Sequence, residues 1–292
     1  MRFQLAGTQQ NCAGATPRGR AVMAIYLIEG KLGAGKSLIA TGIIRDALIK
    51  GLPVGTNLDL HLQHLIGYKS KRARVVRVPD KPTVESLISL GKGNESYDER
   101  RNGVLVFDEL ATWLNARTFA DKARQEVLNW FVHSRKLGWD LYLLCQNIDQ
   151  LDKQLRTAIV EYRVTCRRLD RIGIPVLGPI VKLATFGLVK PRLPQIHMAV
   201  VRYGTEANAV VADRWMYRAK DLYKCYDTRQ VFVDDPEQAP YSMLPPAYTH
   251  GWKRVQRRFS VKGRLEETRR LWKLHEAGLV SYDEWRGMVK QI

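Results

Sequence analysis

Cysteine and histidine are scarce in this 292-residue chain, which has four cysteines and six histidines. The cysteines lack the paired spacing of a zinc site or of a disulfide framework, which is typical of a protein in a reducing compartment. His61 and His64 lie close together, but no cysteine or acidic residue completes a set of metal ligands. We also find no Ser-His-Asp or Cys-His nucleophile arrangement. The four cysteines are Cys12, Cys145, Cys166 and Cys225.

Long apolar segments are missing too. A membrane-spanning helix needs about 20 consecutive apolar residues, and the nearest approach, residues 172–189, contains Pro175, Pro179 and Lys182. We expect a loop with a short helix there. The first 22 residues show neither hydrophobic periodicity nor the apolar core of a signal peptide. We expect residues 1–22 to be a disordered extension.

Negative charge is in short supply, because 47 basic residues outnumber 29 acidic ones and give a net charge of +18. A positive field of this size is typical of proteins that contact nucleic acid or anionic lipid headgroups. Aromatic residues are not interleaved with the basic ones, so contact with DNA would be directed at its backbone and sensitive to salt. The basic residues cluster at Lys69, Lys71, Arg72, Arg74 and Arg77, at Arg163, Arg167, Arg168 and Arg171, and at Lys253, Arg254, Arg257 and Arg258.

What the chain does contain is a complete phosphate-binding loop (Walker A), Gly-Lys-Leu-Gly-Ala-Gly-Lys-Ser, at residues 30–37. An apolar stretch, residues 24–29, precedes this loop, and a helix-forming stretch that Gly51 ends follows it. Glycines let backbone N–H groups surround a phosphate, and the following helix directs its positive end to the same point. We predict that ATP contacts Gly30, Lys31, Gly33, Ala34, Gly35, Lys36, Ser37 and Leu38, with Lys36 on the β- and γ-phosphates and Ser37 on Mg²⁺.

A second motif, Walker B, lies at residues 103–109, an apolar run of the buried-strand type that ends in two carboxylates. Asp108, at the strand tip, is placed to hold Mg²⁺ together with Ser37. Glu109 is one residue further, so on an extended chain its side chain points to the opposite side. From there we expect it to polarise the water that attacks the γ-phosphate. The two acids together favour ATP hydrolysis by a motor-type ATPase over a slow switch.

Two further candidates depend on these motifs. Gln146 follows an apolar stretch, residues 140–145, and a polar amide at the tip of a strand beside the acidic one is where a γ-phosphate sensor would lie. An arginine finger neutralises transition-state charge across a subunit boundary. Arg135, at the end of an amphipathic segment, is our candidate for that role, and Arg117 and Arg156 are the alternatives.

Four stretches resemble the zonular occludens toxin (Zot) family, to which the filamentous-phage assembly ATPases belong. They are residues 23–37, residues 106–109, residues 134–147 and residues 222–232. Other P-loop motors share the first three, whereas the Tyr-Asp-Thr-x-Gln signature of the last is more family-specific. The resemblance covers about residues 23–235. It implies an ATPase that powers extrusion and coating of single-stranded phage DNA at the bacterial inner membrane.

The chain departs from that family's pattern in one respect. Phage assembly ATPases of this type usually carry a membrane-spanning helix and a further domain after the ATPase domain, and no such helix is recognisable here. We therefore expect peripheral association with the inner membrane from the host cytoplasm, through a partner or a basic surface. The toxin activity that named the family is not expected, since a secreted tail is also missing.

The C-terminal part begins with a Pro-rich and basic segment, residues 241–263, which we interpret as a linker. Beyond it, residues 264–277 have a helical pattern that Gly278 ends. Ser281, with Glu284 three residues later, forms a capping box for a second short helix. This hairpin, residues 264–292, is similar to the small oligomerisation modules named SHOCT. We expect it to dock on the core, a neighbouring subunit or a partner, or to be a solvated tail.

Together these patterns predict an α/β P-loop NTPase of the RecA/FtsK-like type, residues 23–240, with a mostly parallel sheet, flanking helices and antiparallel edge strands. Its cofactors would be ATP and Mg²⁺, and its partners phage coat and assembly proteins and single-stranded DNA. The active form would be a homo-oligomer, a hexamer. Two alternatives stay open: a DNA-translocating or packaging ATPase outside virion extrusion, and a nucleotide-gated membrane adaptor with little hydrolysis.

Overall fold

The fold is known from a computed structural model of the chain. It describes residues 24–96, 98–114, 122–151, 156, 159–168, 195–206, 208–233, 235, 237–250, 261–278 and 280–289. The predictions for the N-terminal extension, for residues 172–189 and for Arg117 lie outside these ranges. Within them, no helix is both long and apolar enough to cross a membrane.

Nine strands in the described part of the chain form one sheet, in the order β8-β7-β6-β1-β5-β4-β2-β3-β9. The six central strands, from β6 to β3, are parallel, and both edges are antiparallel. The strands are β1 (Ile25–Glu29), β2 (Val54–Thr56), β3 (Val75–Arg77), β4 (Gly103–Phe107), β5 (Trp139–Cys145), β6 (Tyr162–Arg168), β7 (Ile196–Tyr203), β8 (Val211–Arg218) and β9 (Tyr241–Met243).

Helices connect these strands and cover the sheet. Short 3-10 turns lie at Glu99–Arg101, Leu110–Thr112, Arg135–Leu137 and Ile148–Gln150. The α-helices of the described residues are α1 (Lys36–Ile49), α2 (Leu62–Leu65), α3 (Val84–Ile88), α4 (Lys122–Ser134), α5 (Ala219–Leu222), α6 (Pro246–His250), α7 (Val261–Glu276) and α8 (Tyr282–Val289).

The sheet separates two hydrophobic cores. Successive side chains of a strand point to opposite faces, so Ile25 and Leu27 of β1 face one core, while Tyr26 and Ile28 face the other. The first core contains α4 and its aromatic residues, and the second contains α1. Strands β1, β4 and β5 are buried along their whole length and are mostly apolar, as parallel strands usually are. The predicted α/β class with a mostly parallel sheet is confirmed.

Strands β7 and β8 form a hairpin and are antiparallel edge strands of the kind predicted, and this hairpin contacts more than the sheet edge. Tyr217 of β8 donates a hydrogen bond to Asp46 of α1 over 2.8 Å. Its ring lies so close to Gly42 of α1 that a Cβ atom there would be 2.6 Å from ring carbons. The hairpin therefore packs against the helix that follows the phosphate-binding loop and fixes the position of that helix.

The C-terminal segment differs in part from expectation. The predicted linker was wrong at its start, because Tyr241–Met243 pairs with β3 as the edge strand β9. Three residues give too little pattern to reveal a strand, and pairing with a distant partner decides the outcome. The helical hairpin is confirmed as α7 and α8. Its capping box forms as predicted: Glu284 donates its backbone N–H to Ser281 Oγ, and Ser281 N–H donates to the Glu284 carboxylate.

Replacing Gly42 by alanine tests the contact between α1 and the hairpin. Helix propensity alone would favour alanine by about 1 kcal/mol, but overpacking against Tyr217 costs about 1–3 kcal/mol. We expect Gly42→Ala to lower the free energy of unfolding in denaturant titrations. Gly287→Ala is the matched control, because nothing lies within 4 Å of a Cβ atom there. A Gly42→Ala protein as stable as the wild type would contradict the packing.

Candidate functional site

The phosphate-binding loop connects the carboxyl end of β1 to α1 and has the conformation that its glycines allow. Gly33 and Gly35 have φ of 73° and 94°, which favour glycine over residues with side chains. Helix α1 begins at Lys36, so its unpaired backbone N–H groups and positive end point towards the loop. The predicted strand, loop and helix are all present, and α1 already includes Lys36 and Ser37, the last two residues of the motif.

A buried histidine beneath the loop is a feature that the sequence did not reveal. His197, on β7, is 2% exposed, and its Nδ1 lies 3.0 Å from the carbonyl oxygen of Ala34. A Cβ atom on Gly35 would lie 1.9 Å from that ring nitrogen. Gly35 is therefore required twice, by its positive φ and by the imidazole below it. Gly30 is tight as well, because a Cβ atom there would be 3.1 Å from that of Ala34.

Lys36 and Ser37, the last two residues of the motif, make hydrogen bonds that fit the roles predicted for them. The Lys36 ammonium group donates a hydrogen bond to the carbonyl oxygen of Gly30 over 2.8 Å, and the Ser37 hydroxyl donates to Asp108 Oδ2 over 2.5 Å. A hydroxyl and a carboxylate are oxygen ligands of the kind that Mg²⁺ prefers. The pair fits a magnesium ion that takes its other ligands from phosphates and water.

Glu109 departs from the geometry on which its prediction depended. Strand β4 ends at Phe107, and Glu109 has φ of 52°, the one positive φ on a non-glycine residue in the described part of the chain. The expectation that its side chain alternates with that of Asp108 along an extended chain was therefore wrong. Burial, reinforced by the neighbouring Asp108 charge, raises the pKa of Glu109. A carboxylate with a raised pKa is better suited to accept a proton at neutral pH.

These residues line one cavity of about 830 Å³, large enough for a nucleotide. Gln146, the predicted sensor, lies in its wall at the carboxyl end of β5. Another part of the wall comes from the family-specific signature, to which we had assigned no role. The lining residues are Leu32, Gly33, Gly35, Lys36, Ser37, Leu58, Asp108, Glu109, Ala111, Thr112, Cys145, Gln146, Asp149, Tyr226, Asp227, Thr228, Gln230 and Phe232. Lys31 and Leu38, which we also predicted to contact ATP, belong to the same loop and helix, Lys31 exposed and Leu38 buried.

The structure does not bring the candidate arginine finger to this cavity. Arg135 lies before β5, at the amino ends of the parallel strands, and pairs with Glu161 over 2.5 Å. The cavity lies at the carboxyl ends of those strands. Arg156, an alternative, pairs with the exposed Asp149 over 2.9 Å. A finger acts on a neighbouring subunit, so this position leaves the role of Arg135 a prediction.

Comparisons with known proteins show the family of this chain. The family model for zonular occludens toxin (Zot) matches residues 24–212, more than half of the chain. The chain belongs to the Zot family. This Zot-family chain is 47% identical over 237 residues to the Gene 1 protein of Escherichia phage If1, covering 80% of the chain and 67% of that relative. It is 46% identical over 231 residues to the Gene 1 protein of Enterobacteria phage M13, covering 78% and 66%.

The chain thus spans about two thirds of the length of the curated relatives it matches. Among solved structures, it is similar to the N-terminal domain of zonular occludens toxin from Neisseria meningitidis, with a TM-score of 0.39, 17% identity, and coverage of 71% of this chain and 100% of that one. A packaging NTPase, B204, from Sulfolobus turreted icosahedral virus 2 gives a TM-score of 0.37 at 16% identity, with coverage of 67% and 96%. Since both scores are below 0.5, we draw nothing from these two similarities.

Replacing Gly35 by alanine tests whether the imidazole and the positive φ shape the loop. The new Cβ atom must displace His197 or the loop, so we expect the affinity for ATP, measured by titration calorimetry, to fall at least about tenfold. Gly91→Ala is the control: Gly91 also has a positive φ, of 65°, but nothing lies within 4 Å of its Cβ position. Equal ATP affinities for wild type and Gly35→Ala would refute this view of the loop.

Proposed function

We propose that this Zot-family chain is an ATPase that depends on Mg²⁺ and powers assembly and extrusion of filamentous phage at the bacterial inner membrane. The observation that carries the proposal is the 2.5 Å contact between Ser37 and Asp108, beside a loop shaped to hold phosphates. The similarity of the chain to the Gene 1 proteins of filamentous phages supports the role in phage assembly.

The loop supplies binding. Backbone N–H groups of Gly33, Gly35 and the start of α1 would surround the β-phosphate, and Lys36 would exchange the Gly30 carbonyl for phosphate oxygens. Ser37 and Asp108 would hold Mg²⁺. When bound, this ion would neutralise the charge of the β- and γ-phosphates. The protein's contribution is therefore mainly positioning and electrostatic stabilisation.

Other residues of the same cavity would supply the reaction. Glu109 would orient the attacking water and accept its proton, and its pKa, raised by burial, suits that role. Gln146, which lines the same cavity, would sense the γ-phosphate. Arg135, at the amino ends of the parallel strands, would reach the cavity of a neighbouring subunit in a ring. We propose that this ring is a hexamer.

The net charge of +18 supports contact with an anionic partner. We propose that this partner is the single-stranded phage genome, together with phage coat and assembly proteins, and that the protein works from the host cytoplasm as a peripheral protein of the inner membrane. Attraction to phosphates of DNA or lipid headgroups would weaken as salt increases.

Two substitutions separate binding from hydrolysis. We expect Lys36→Ala to abolish ATP binding, because it removes the charge that contacts the phosphates. Glu109→Gln should bind ATP normally but hydrolyse it at least about 100-fold more slowly, because the amide cannot accept the proton. Both should stop particle release when they replace the wild-type protein in phage-producing cells. Wild-type turnover by Lys36→Ala would remove the proposal, and full particle release by Glu109→Gln would favour the nucleotide-gated adaptor.

The pH dependence of hydrolysis tests the role of Glu109. Because its pKa is raised, the carboxylate gains its proton at a pH above the ordinary value of 4.5. The rate constant for turnover, measured at saturating ATP and Mg²⁺, should therefore fall as pH decreases through that raised pKa. The residual turnover of Glu109→Gln should lack this acidic limb. An identical limb in wild type and variant would assign it to another group.

A further inference from the structure

Asn57, a buried asparagine just beyond the end of β2, holds the backbone of the metal-binding aspartate. Its side-chain oxygen accepts a hydrogen bond from the Asp108 N–H over 2.8 Å, and its side-chain nitrogen donates to the Asp108 carbonyl oxygen over 3.0 Å. Asn57 is 0% exposed. Both polar atoms of the amide are thus used on one residue, just beyond Thr56 and Val106, the last residue pair of β2 and β4.

Gln230, from the family-specific signature, holds Asn57 in turn. Its side-chain nitrogen donates to the Asn57 carbonyl oxygen over 2.7 Å, and its side-chain oxygen accepts from the Asp59 N–H over 2.8 Å. Gln230 is half-buried and lines the nucleotide cavity together with Tyr226, Asp227 and Thr228. The two amide side chains therefore act in series: Gln230 holds the backbone of Asn57, and Asn57 holds the backbone of Asp108.

The position of Asp108, the residue that they hold, affects both the metal site and the proposed base. Asp108 accepts hydrogen bonds from the Ser37 hydroxyl and, over 2.8 Å, from the Glu109 N–H. Glu109 lies in the left-handed region, a conformation that persists only where its surroundings over-determine it. On the other side, the Thr112 hydroxyl donates to the Glu109 carbonyl oxygen over 2.8 Å. A shift of the Asp108 peptide would move both the metal-binding carboxylate and the proposed base.

We propose that Asn57 and Gln230 are positioning residues that set the affinity for Mg²⁺ through Asp108. The inference rests on the proposed function and deepens it, because it assigns a role to the signature segment. Substitution of the residues that hydrogen-bond to metal ligands typically lowers metal affinity or activity by about 10–100-fold. The sequence separation of the partners explains why no local motif reveals them.

The other end of β4 supplies a matched control for a purely structural role. Asn102 lies just before β4, is also 0% exposed, and donates its side-chain amide to Asp140 over 3.0 Å. It lies at the amino ends of the parallel strands, whereas the cavity lies at their carboxyl ends. Removing either asparagine creates a buried cavity and leaves buried polar partners unpaired, so both changes should lower the unfolding temperature. The change in Mg²⁺ affinity should occur only at Asn57.

The experiment uses the full chain and a fluorescent ATP analogue, with nucleotide binding measured across a Mg²⁺ titration and also in excess EDTA. We expect Asn57→Ala to raise the Mg²⁺ concentration for half-maximal binding at least about tenfold, with metal-free affinity changed less than about twofold. Gln230→Ala should act in the same direction, less strongly. Because the two residues act in series, Asn57→Ala/Gln230→Ala should match Asn57→Ala within about twofold. Asn102→Ala should leave the Mg²⁺ curve unchanged.

Several outcomes would overturn the inference. One is an unchanged Mg²⁺ curve for Asn57→Ala, and another is an equal shift for Asn102→Ala. If Asn57→Ala does not fold, the half-buried Gln230→Ala decides alone, and an unchanged curve for it counts against the proposal. The readout is independent of hydrolysis. A wild type that binds nucleotide with Mg²⁺ but does not hydrolyse it would overturn the proposed ATPase, whereas a shifted curve in the variants would still support the positioning role.

Discussion

The contact between the Ser37 hydroxyl and the Asp108 carboxylate, 2.5 Å long, is the constraint on which the site depends. It joins the start of α1 to the end of β4, although β5 lies between β1 and β4 in the sheet. Because the strands are parallel, the carboxyl ends of β1 and β4 lie on the same side of the sheet. Open α/β sheets bind ligands at the carboxyl ends of their strands. The parallel centre of the sheet, buried on both faces, is therefore a condition for the chemistry and not only for stability.

The antiparallel β7–β8 hairpin and the segment that follows it also contact this site. The β7–β8 hairpin places His197 beneath the loop and Tyr217 against α1, so the phosphate-binding element is supported from below and from the side. The segment after β8 lines the cavity, and its Gln230 contacts Asn57 at the end of β2. The family-specific part of the sequence thus completes a site whose first half is common to P-loop proteins.

The sequence predicted those features that local pattern determines. Strand β1, helix α1, strands β4 and β5, the antiparallel edge strands β7 and β8 and the capping box at Ser281 each have a periodicity or a motif of their own. It did not predict strands β2, β3 and β9, which have three residues each and form because a partner is nearby. The left-handed Glu109, the imidazole under Gly35 and the Asn57–Gln230 contact were missed because they depend on residues distant in sequence or on tertiary restraint.

The most direct measurement is a crystal structure with Mn²⁺ in place of Mg²⁺ and a non-hydrolysable ATP analogue, with the metal located by its anomalous scattering. We predict a single strong peak between Ser37 and Asp108, with the Lys36 ammonium moved from the Gly30 carbonyl to a phosphate oxygen. A metal bound elsewhere, or a nucleotide bound while Ser37 still donates its hydrogen bond to Asp108, would contradict the account.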